Sequence, residues 1–176
     1  MADDLLRLVL DHLRSRTTCP IFVSGAVGAG KTRLSQKVVD RLKNSHYQPG
    51  GVLSPRLMES GLTVGYDVIN IATGNRRSFV RSHPPGKNVG RFFIKPGAIE
   101  FANQAISDAI GQFDPVFVDE VGRLELSSDG LAPSVEELLS SQSQAIILVR
   151  DEFISDLREV FGIREYDDVR VEGSSG

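Results

Sequence analysis

The sequence predicts an α/β fold: a mostly parallel sheet with helices on both faces and a small antiparallel β insertion in the middle of the chain. Three observations predict it. Ile21-Phe22-Val23, Val116-Phe117-Val118 and the run from Ala145 to Val149 are short and wholly apolar, as strands buried on both faces are. Amphipathic helical stripes separate them, and helices between buried strands make the crossovers that a parallel sheet requires. From about Tyr47 to Ile94 the pattern changes to alternating and β-branched runs punctuated by glycine and proline.

Taken in order, Leu5, Leu6, Leu8, Val9, Leu10 and Leu13 recur at helical spacing, so the first sixteen residues read as an amphipathic helix. The strand Ile21-Phe22-Val23 enters a glycine cluster, and Leu34, Val38, Val39 and Leu42 then mark one face of a helix from Lys31 to about Asn44. In the insertion, Leu62-Thr63-Val64 and Val68-Ile69-Asn70-Ile71 read as strand, and Thr73-Gly74-Asn75 before Arg76-Arg77-Ser78-Phe79-Val80 reads as a hairpin turn. Ala98, Ile99, Phe101, Ala102, Ala105, Ile106, Ala109 and Ile110 restore a helical stripe. The strand Val116-Phe117-Val118 ends on Asp119-Glu120. Val135, Leu138 and Leu139 suggest a short helix, Ala145 to Val149 another strand, and Phe153, Ile154, Leu157, Val160 and Phe161 a last helix. Val169 to Val171 reads as a final strand.

At 176 residues the chain falls in the single-domain range of roughly 100 to 200 residues, and residues 1–172 are expected to form one domain with 173–176 as a flexible tail. Both signs of charge are mixed and the formal net charge is −3, which points to neither nucleic acid nor a membrane surface; a basic cluster from Arg76 to Arg91 is the exception. Apolar runs stop far short of the roughly 20 residues that span a bilayer. The acidic start Met1-Ala2-Asp3-Asp4 is unlike a signal peptide, and the single cysteine, Cys19, has no disulfide partner; both fit a cytoplasmic protein. A protein partner stays open on the sequence.

The pattern G-x-x-x-x-G-K-[ST] occurs once, as Gly25-Ala26-Val27-Gly28-Ala29-Gly30-Lys31-Thr32, with an apolar strand before it and a helix after it. Glycines at 25, 28 and 30 permit backbone angles that turn successive N–H groups inward around an anion. The helix that follows adds its positive dipole end. Lys31 then reaches the β and γ phosphates of a nucleoside triphosphate, and the Thr32 hydroxyl ligates Mg²⁺. Such a site needs a carboxylate at a neighbouring strand end to hold Mg²⁺ through water, and Asp119 is in that position. Glu120, next along, is the candidate general base or water-positioning group. Glu125 is open between a supporting role and a salt bridge.

These residues resemble a known family, the thermophile-type, or cancer-related, nucleoside-triphosphatases. The likeness rests on Gly25 to Thr32, on Gly51-Val52-Leu53-Ser54-Pro55-Arg56 with Gly61 and Gly65-Tyr66-Asp67-Val68, and on Val118-Asp119-Glu120-Val121-Gly122-Arg123-Leu124-Glu125-Leu126. Val89-Gly90-Arg91-Phe92 also resembles the family's short glycine-aromatic strand. The resemblance implies a P-loop NTPase three-layer sandwich and slow, Mg²⁺-dependent hydrolysis of several nucleoside triphosphates to diphosphate and phosphate. It implies that Lys31 and Thr32 bind phosphate and Mg²⁺, that Asp119 supports the metal and that Glu120 activates water. After Val149 the chain departs from the pattern, reading Arg150-Asp151-Glu152-Phe153 where members tend toward a His-containing stretch and a late Asn-Arg pair.

Charge on a transferred phosphoryl group is commonly met by an arginine, worth roughly 10³ to 10⁵ in rate. Arg56, Arg76, Arg77, Arg81, Arg91 and Arg123 are candidates, with Arg56 and Arg123 preferred. The basic insertion has the make-up of a lid. That feature supports an alternative, a small-molecule kinase acting on a nucleoside or nucleotide-like acceptor, although Glu120 beside Asp119 favours water as the acceptor. A second alternative is a nucleotide-dependent protein-binding switch, since Asp119 to Gly122 satisfies D-x-x-G, but no Asn-Lys-x-Asp or Thr-Lys-x-Asp accompanies it. His12, His46 and His83 are scattered and give no zinc spacing, and no nucleophile with a base partner argues for covalent catalysis.

Overall fold

In a computed structural model, which describes residues 1–173, the chain starts with helix α1 (Ala2–Ser15), strand β1 (Ile21–Ser24) and helix α2 (Lys31–Asn44). Strand β2 (Gly50–Leu53) is followed by β3 (Arg56–Glu59), β4 (Leu62–Asn70), β5 (Arg76–Arg81), β6 (Lys87–Val89) and β7 (Phe92–Ile94). Helix α3 (Ala98–Ala109) leads to β8 (Val116–Val121), the short α4 (Arg123–Leu126) and α5 (Ala132–Leu139). Strand β9 (Ala145–Val149), a 3₁₀ turn at Asp151–Phe153, α6 (Ile154–Val160) and β10 (Asp167–Arg170) complete it. Residues 174–176, most of the expected tail, lie outside the described residues.

Strands β10, β1, β9, β8 and β2 lie side by side and parallel, in that order. Their side chains alternate between two cores. Ile21, Val23, Phe117, Ile146 and Leu148 pack with Leu5 and Val9 of α1 and Leu34, Val38 and Leu42 of α2 on one face. Phe22, Val116, Val118, Ala145, Ile147 and Val149 pack with Ala102 and Ile106 of α3, Val135 and Leu138 of α5 and Leu157 of α6 on the other. With period 2 along each strand and helices on both sides, β1, β9 and the first four residues of β8 are wholly buried, which is why these strands read as apolar runs. Each fully buried Val, Leu, Ile or Phe contributes about 1.5–3 kcal/mol to this three-layer packing.

Strand β2 differs from the sequence reading, which assigned its residues to the insertion. Gly50-Gly51-Val52-Leu53 is wholly buried and pairs in parallel with β8. Its apolar signal is weak because glycine is demanded there. A Cβ on Gly50 would lie 2.7 Å from both the Ala109 and Phe113 Cβ atoms, and one on Gly51, at φ 87°, would lie 2.0 Å from the Phe117 carbonyl oxygen.

The antiparallel insertion is present and extends the sheet. Strand β4 pairs with β2, and β5, β7 and β6 continue the same sheet outward, with β3 folded back on β4. Four of its arginines are engaged with neighbouring side chains. Arg76 and Arg81 both pair with the largely buried Asp67. Arg77 lies 5.2 Å from the Phe101 ring centre and Arg91 4.7 Å from that of Phe92. Gly90 and Arg91, expected within a strand, form the turn between β6 and β7, and Lys87 Nζ meets Asp129 at 2.6 Å, fastening the edge to the loop after α4.

Candidate functional site

The carboxyl ends of β1, β9 and β8 carry the polar groups that the core excludes. After β1 the phosphate loop takes φ 150° at Gly25, 78° at Gly28 and 99° at Gly30, the last being the N-cap of α2. Glycine is required at 25 for a further reason: a Cβ there would lie 2.5 Å from the carbonyl oxygen of Val171, just past β10. The Val171 N–H donates to the Ser24 carbonyl at 2.7 Å, so the last strand braces the loop.

Lys31 Nζ donates to the carbonyl oxygens of Gly25, at 2.8 Å, and Ala26, at 2.9 Å. Burial pulls its amine below the ordinary lysine value, while the charges of Glu120 and Asp119 oppose the shift; Arg150 adds to it and Asp151 opposes it. The phosphate-loop lysine thus sits in the field of the residues that end β8 and follow β9.

Asp119 is 1% exposed. Its Oδ2 accepts from the Ser54 N–H at 2.8 Å and its Oδ1 from the Glu120 N–H at 2.9 Å, and the Thr32 side chain lies close enough to the same carboxyl to favour its charged form. Burial first, and the Glu120 charge second, push its pKa up to about 7. Glu120 is exposed and held at φ 65°, a conformation that non-glycine residues rarely adopt. The loop residues expected at the phosphates and the acids expected opposite them therefore converge, through Thr32 and Asp119.

Among the preferred arginines, Arg56 reaches the loop: a Cβ built on Gly28 would lie 3.0 Å from Arg56 Nη2 and 3.4 Å from Nη1. Arg123 lies over Phe153, its Cζ 5.8 Å from the ring centre. Glu125 is buried and makes no salt bridge among the described residues; its Oε2 accepts from the Gly122 N–H at 2.8 Å and its Oε1 from the Leu131 N–H at 2.9 Å. It caps α4 and ties the two ends of the loop that follows the acids.

Sequence reasoning passed over Arg150, Asp151 and the Ser54 backbone. The available signal was position, since a residue directly after a buried parallel strand lies at the edge where α/β sheets bind ligands.

Thr32 and Asp119 offer hard oxygen donors, the chemistry that suits Mg²⁺ when water and phosphates complete the set. Consistent with such a site, Ser54 Oγ is buried with no hydrogen-bond partner on the residue whose N–H meets Asp119. The described residues hold no cluster of three or more His, Cys, Asp or Glu able to bind a metal unaided, which a phosphate-borne cation does not need.

A family model described as NTPase matches residues 20–172. The nucleoside-triphosphatase THEP1 of Methanopyrus kandleri is 32% identical over 143 residues, covering 79% of each chain. The THEP1 of Ignicoccus hospitalis is 30% identical over 155 residues, 85% of this chain and 89% of the relative. Among solved structures, a human cancer-related nucleoside triphosphatase superposes with TM-score 0.69 at 23% identity, covering 89% of this chain and 90% of the other. THEP1 from Aquifex aeolicus gives TM-score 0.68 at 18% identity over 87% and 89%. The shared fold, the motif-bearing strand ends and the matched span agree, and the chain belongs to the THEP1-type family of P-loop nucleoside-triphosphatases.

Proposed function

We infer that the chain hydrolyses ATP, GTP and other nucleoside triphosphates to diphosphate and phosphate, with Mg²⁺, broad base specificity and slow turnover. The observation that carries this reading is the buried Asp119 carboxyl, held by the Ser54 and Glu120 N–H groups within reach of Thr32 of the phosphate loop and directly before Glu120.

Backbone N–H groups from Gly28 to Thr32 and the N-terminus of α2 receive the phosphates. Lys31 exchanges its contacts with the Gly25 and Ala26 carbonyls for the β and γ phosphate oxygens. Thr32 and Asp119 would hold Mg²⁺, which when bound draws charge from the β and γ phosphates. Glu120 orients a water and takes its proton as the water oxygen bonds the γ phosphorus and the bond to the β–γ bridging oxygen breaks. Arg56 approaches from the Gly28 side and Arg123 from the β8 side, each toward the transferred group. The engagement of the insertion's arginines with Asp67 and aromatic rings argues against a kinase whose basic lid clamps an acceptor. The whole unit from 1 to 172 acts as one domain, and the unpaired Cys19 fits a reducing cytoplasmic setting.

Phosphate release from ATP, GTP, CTP and UTP, with and without Mg²⁺, tests the reading. Wild type is expected to release phosphate from several nucleotides only with the metal, and Glu120→Gln to lose about 10²–10⁴ in rate. Lys31→Ala should lose both nucleotide binding and turnover. Tight nucleotide binding without any phosphate release would overturn the hydrolase reading.

A further inference from the structure

We propose that Arg150 is a catalytic residue whose guanidinium meets the charge that builds on the γ-phosphoryl group during hydrolysis. This rests on the phosphohydrolase reading above and adds a group to it.

The sheet order provides the geometry. Strand β9 lies between β1, which feeds the phosphate loop, and β8, which carries Asp119 and Glu120. Val149, the last residue of β9, is the register partner of Ser24 on one side and of Val121 on the other. Arg150 therefore leaves the sheet between the start of the phosphate loop and the end of the acidic strand. Its root is rigid, because Val149 is fully embedded in the core, and groups rooted on such strands are held more accurately than groups on loops.

The side chain is also free to act. It is 39% exposed, and its ion pair among the described residues is a long one of 3.6 Å to the exposed Glu152, an interaction that costs little to give up. The neighbouring Asp151, which could have neutralised it, is taken by Arg170 at 2.7 Å. Phe153 lies beneath the guanidinium, 5.8 Å from Cζ to ring centre, and carries Arg123 at the same distance. Arg150 is close enough to Lys31 to affect its charge. A cation so placed would oppose a bound lysine in isolation, but a triphosphate brings enough negative charge to hold both, which makes Arg150 a partner for the nucleotide. Arg56 differs in its root: it starts an exposed strand of the insertion and reaches the loop from the Gly28 side.

The test compares wild type, Arg150→Ala and Arg150→Lys in the full chain by steady-state kinetics, and by binding of a nucleoside diphosphate with Mg²⁺, alone and with aluminium fluoride. Arginine contributions of this kind suggest a fall in kcat of about 10³-fold in Arg150→Ala, with KM and diphosphate binding nearly unchanged. The aluminium fluoride complex, which mimics the transferred group, should form on wild type and be lost in the variant. Arg150→Lys should recover only part of the rate, because an ammonium lacks the planar fork. Should the alanine variant fail to fold, Arg150→Gln serves in its place. Turnover within twofold of wild type, or a parallel loss of kcat and diphosphate binding, would overturn the assignment while leaving the hydrolase reading intact. Absence of phosphate release by wild type would overturn both.

Discussion

Asp119 is the residue at which burial and charge compete most directly, and its pH dependence follows from that contest. Its pKa is raised from the ordinary 3.8 to about 7, chiefly by burial. Between those values the folded chain retains a proton that the unfolded chain has released, so the unfolded state binds fewer protons and stability falls as pH rises through this window. The contribution is fully present below 3.8 and is lost by about 7. In metal-free urea unfolding from pH 5 to 8, the stability of wild type relative to Asp119→Asn should therefore decline with rising pH. Parallel pH curves for the two proteins would show that the Asp119 proton is not linked to folding. The candidate site was largely legible beforehand: Lys31, Thr32, Asp119 and Glu120 stand out by motif and by position after an apolar run. What spacing could not indicate was that both Asp119 oxygens accept backbone N–H groups, from Ser54 and Glu120, since one donor comes from a segment 65 positions away.

At the scale of elements, periodicity located the long helices and apolar strands because each repeats its signal over several turns or residues. Helix α2 was read over its observed range, Lys31–Asn44. Helix α4 spans only 4 residues, too few to express a 3.6-residue period, and it depends on Glu125 instead. That carboxyl accepts from the part-buried N–H of Gly122 and the buried N–H of Leu131, which would otherwise lose this partner. Glu125→Ala is expected to cost about 3 kcal/mol in chemical denaturation, since each orphaned buried N–H costs about 1–3 kcal/mol. Because the same loop begins beside Glu120, kcat should fall as well, with Glu125→Gln intermediate in both. Unchanged stability in Glu125→Ala would mean that the loop holds its shape without the cap.

Taken as a whole, the molecule is a parallel five-stranded core with an antiparallel extension, and nucleotide binding should stabilise all of it. A diphosphate at about 100 times its Kd adds about 2.7 kcal/mol to unfolding if it binds only the folded state. Thermal unfolding should register that gain in wild type and lose it in Lys31→Ala; an equal gain in both would locate binding away from the loop. By itself the sequence determined the fold class, the phosphate loop and the acids opposite it, because buried strands, helical stripes and anion-binding glycines each leave a local pattern. Only the tertiary structure decided the strand order, the place of β2 in the parallel core, the use of the insertion as sheet and the position of Arg150 between loop and acids. Those depend on which surfaces pack together across the chain, and close packing at Gly50 and Gly51 removes the very apolar side chains that local patterns require.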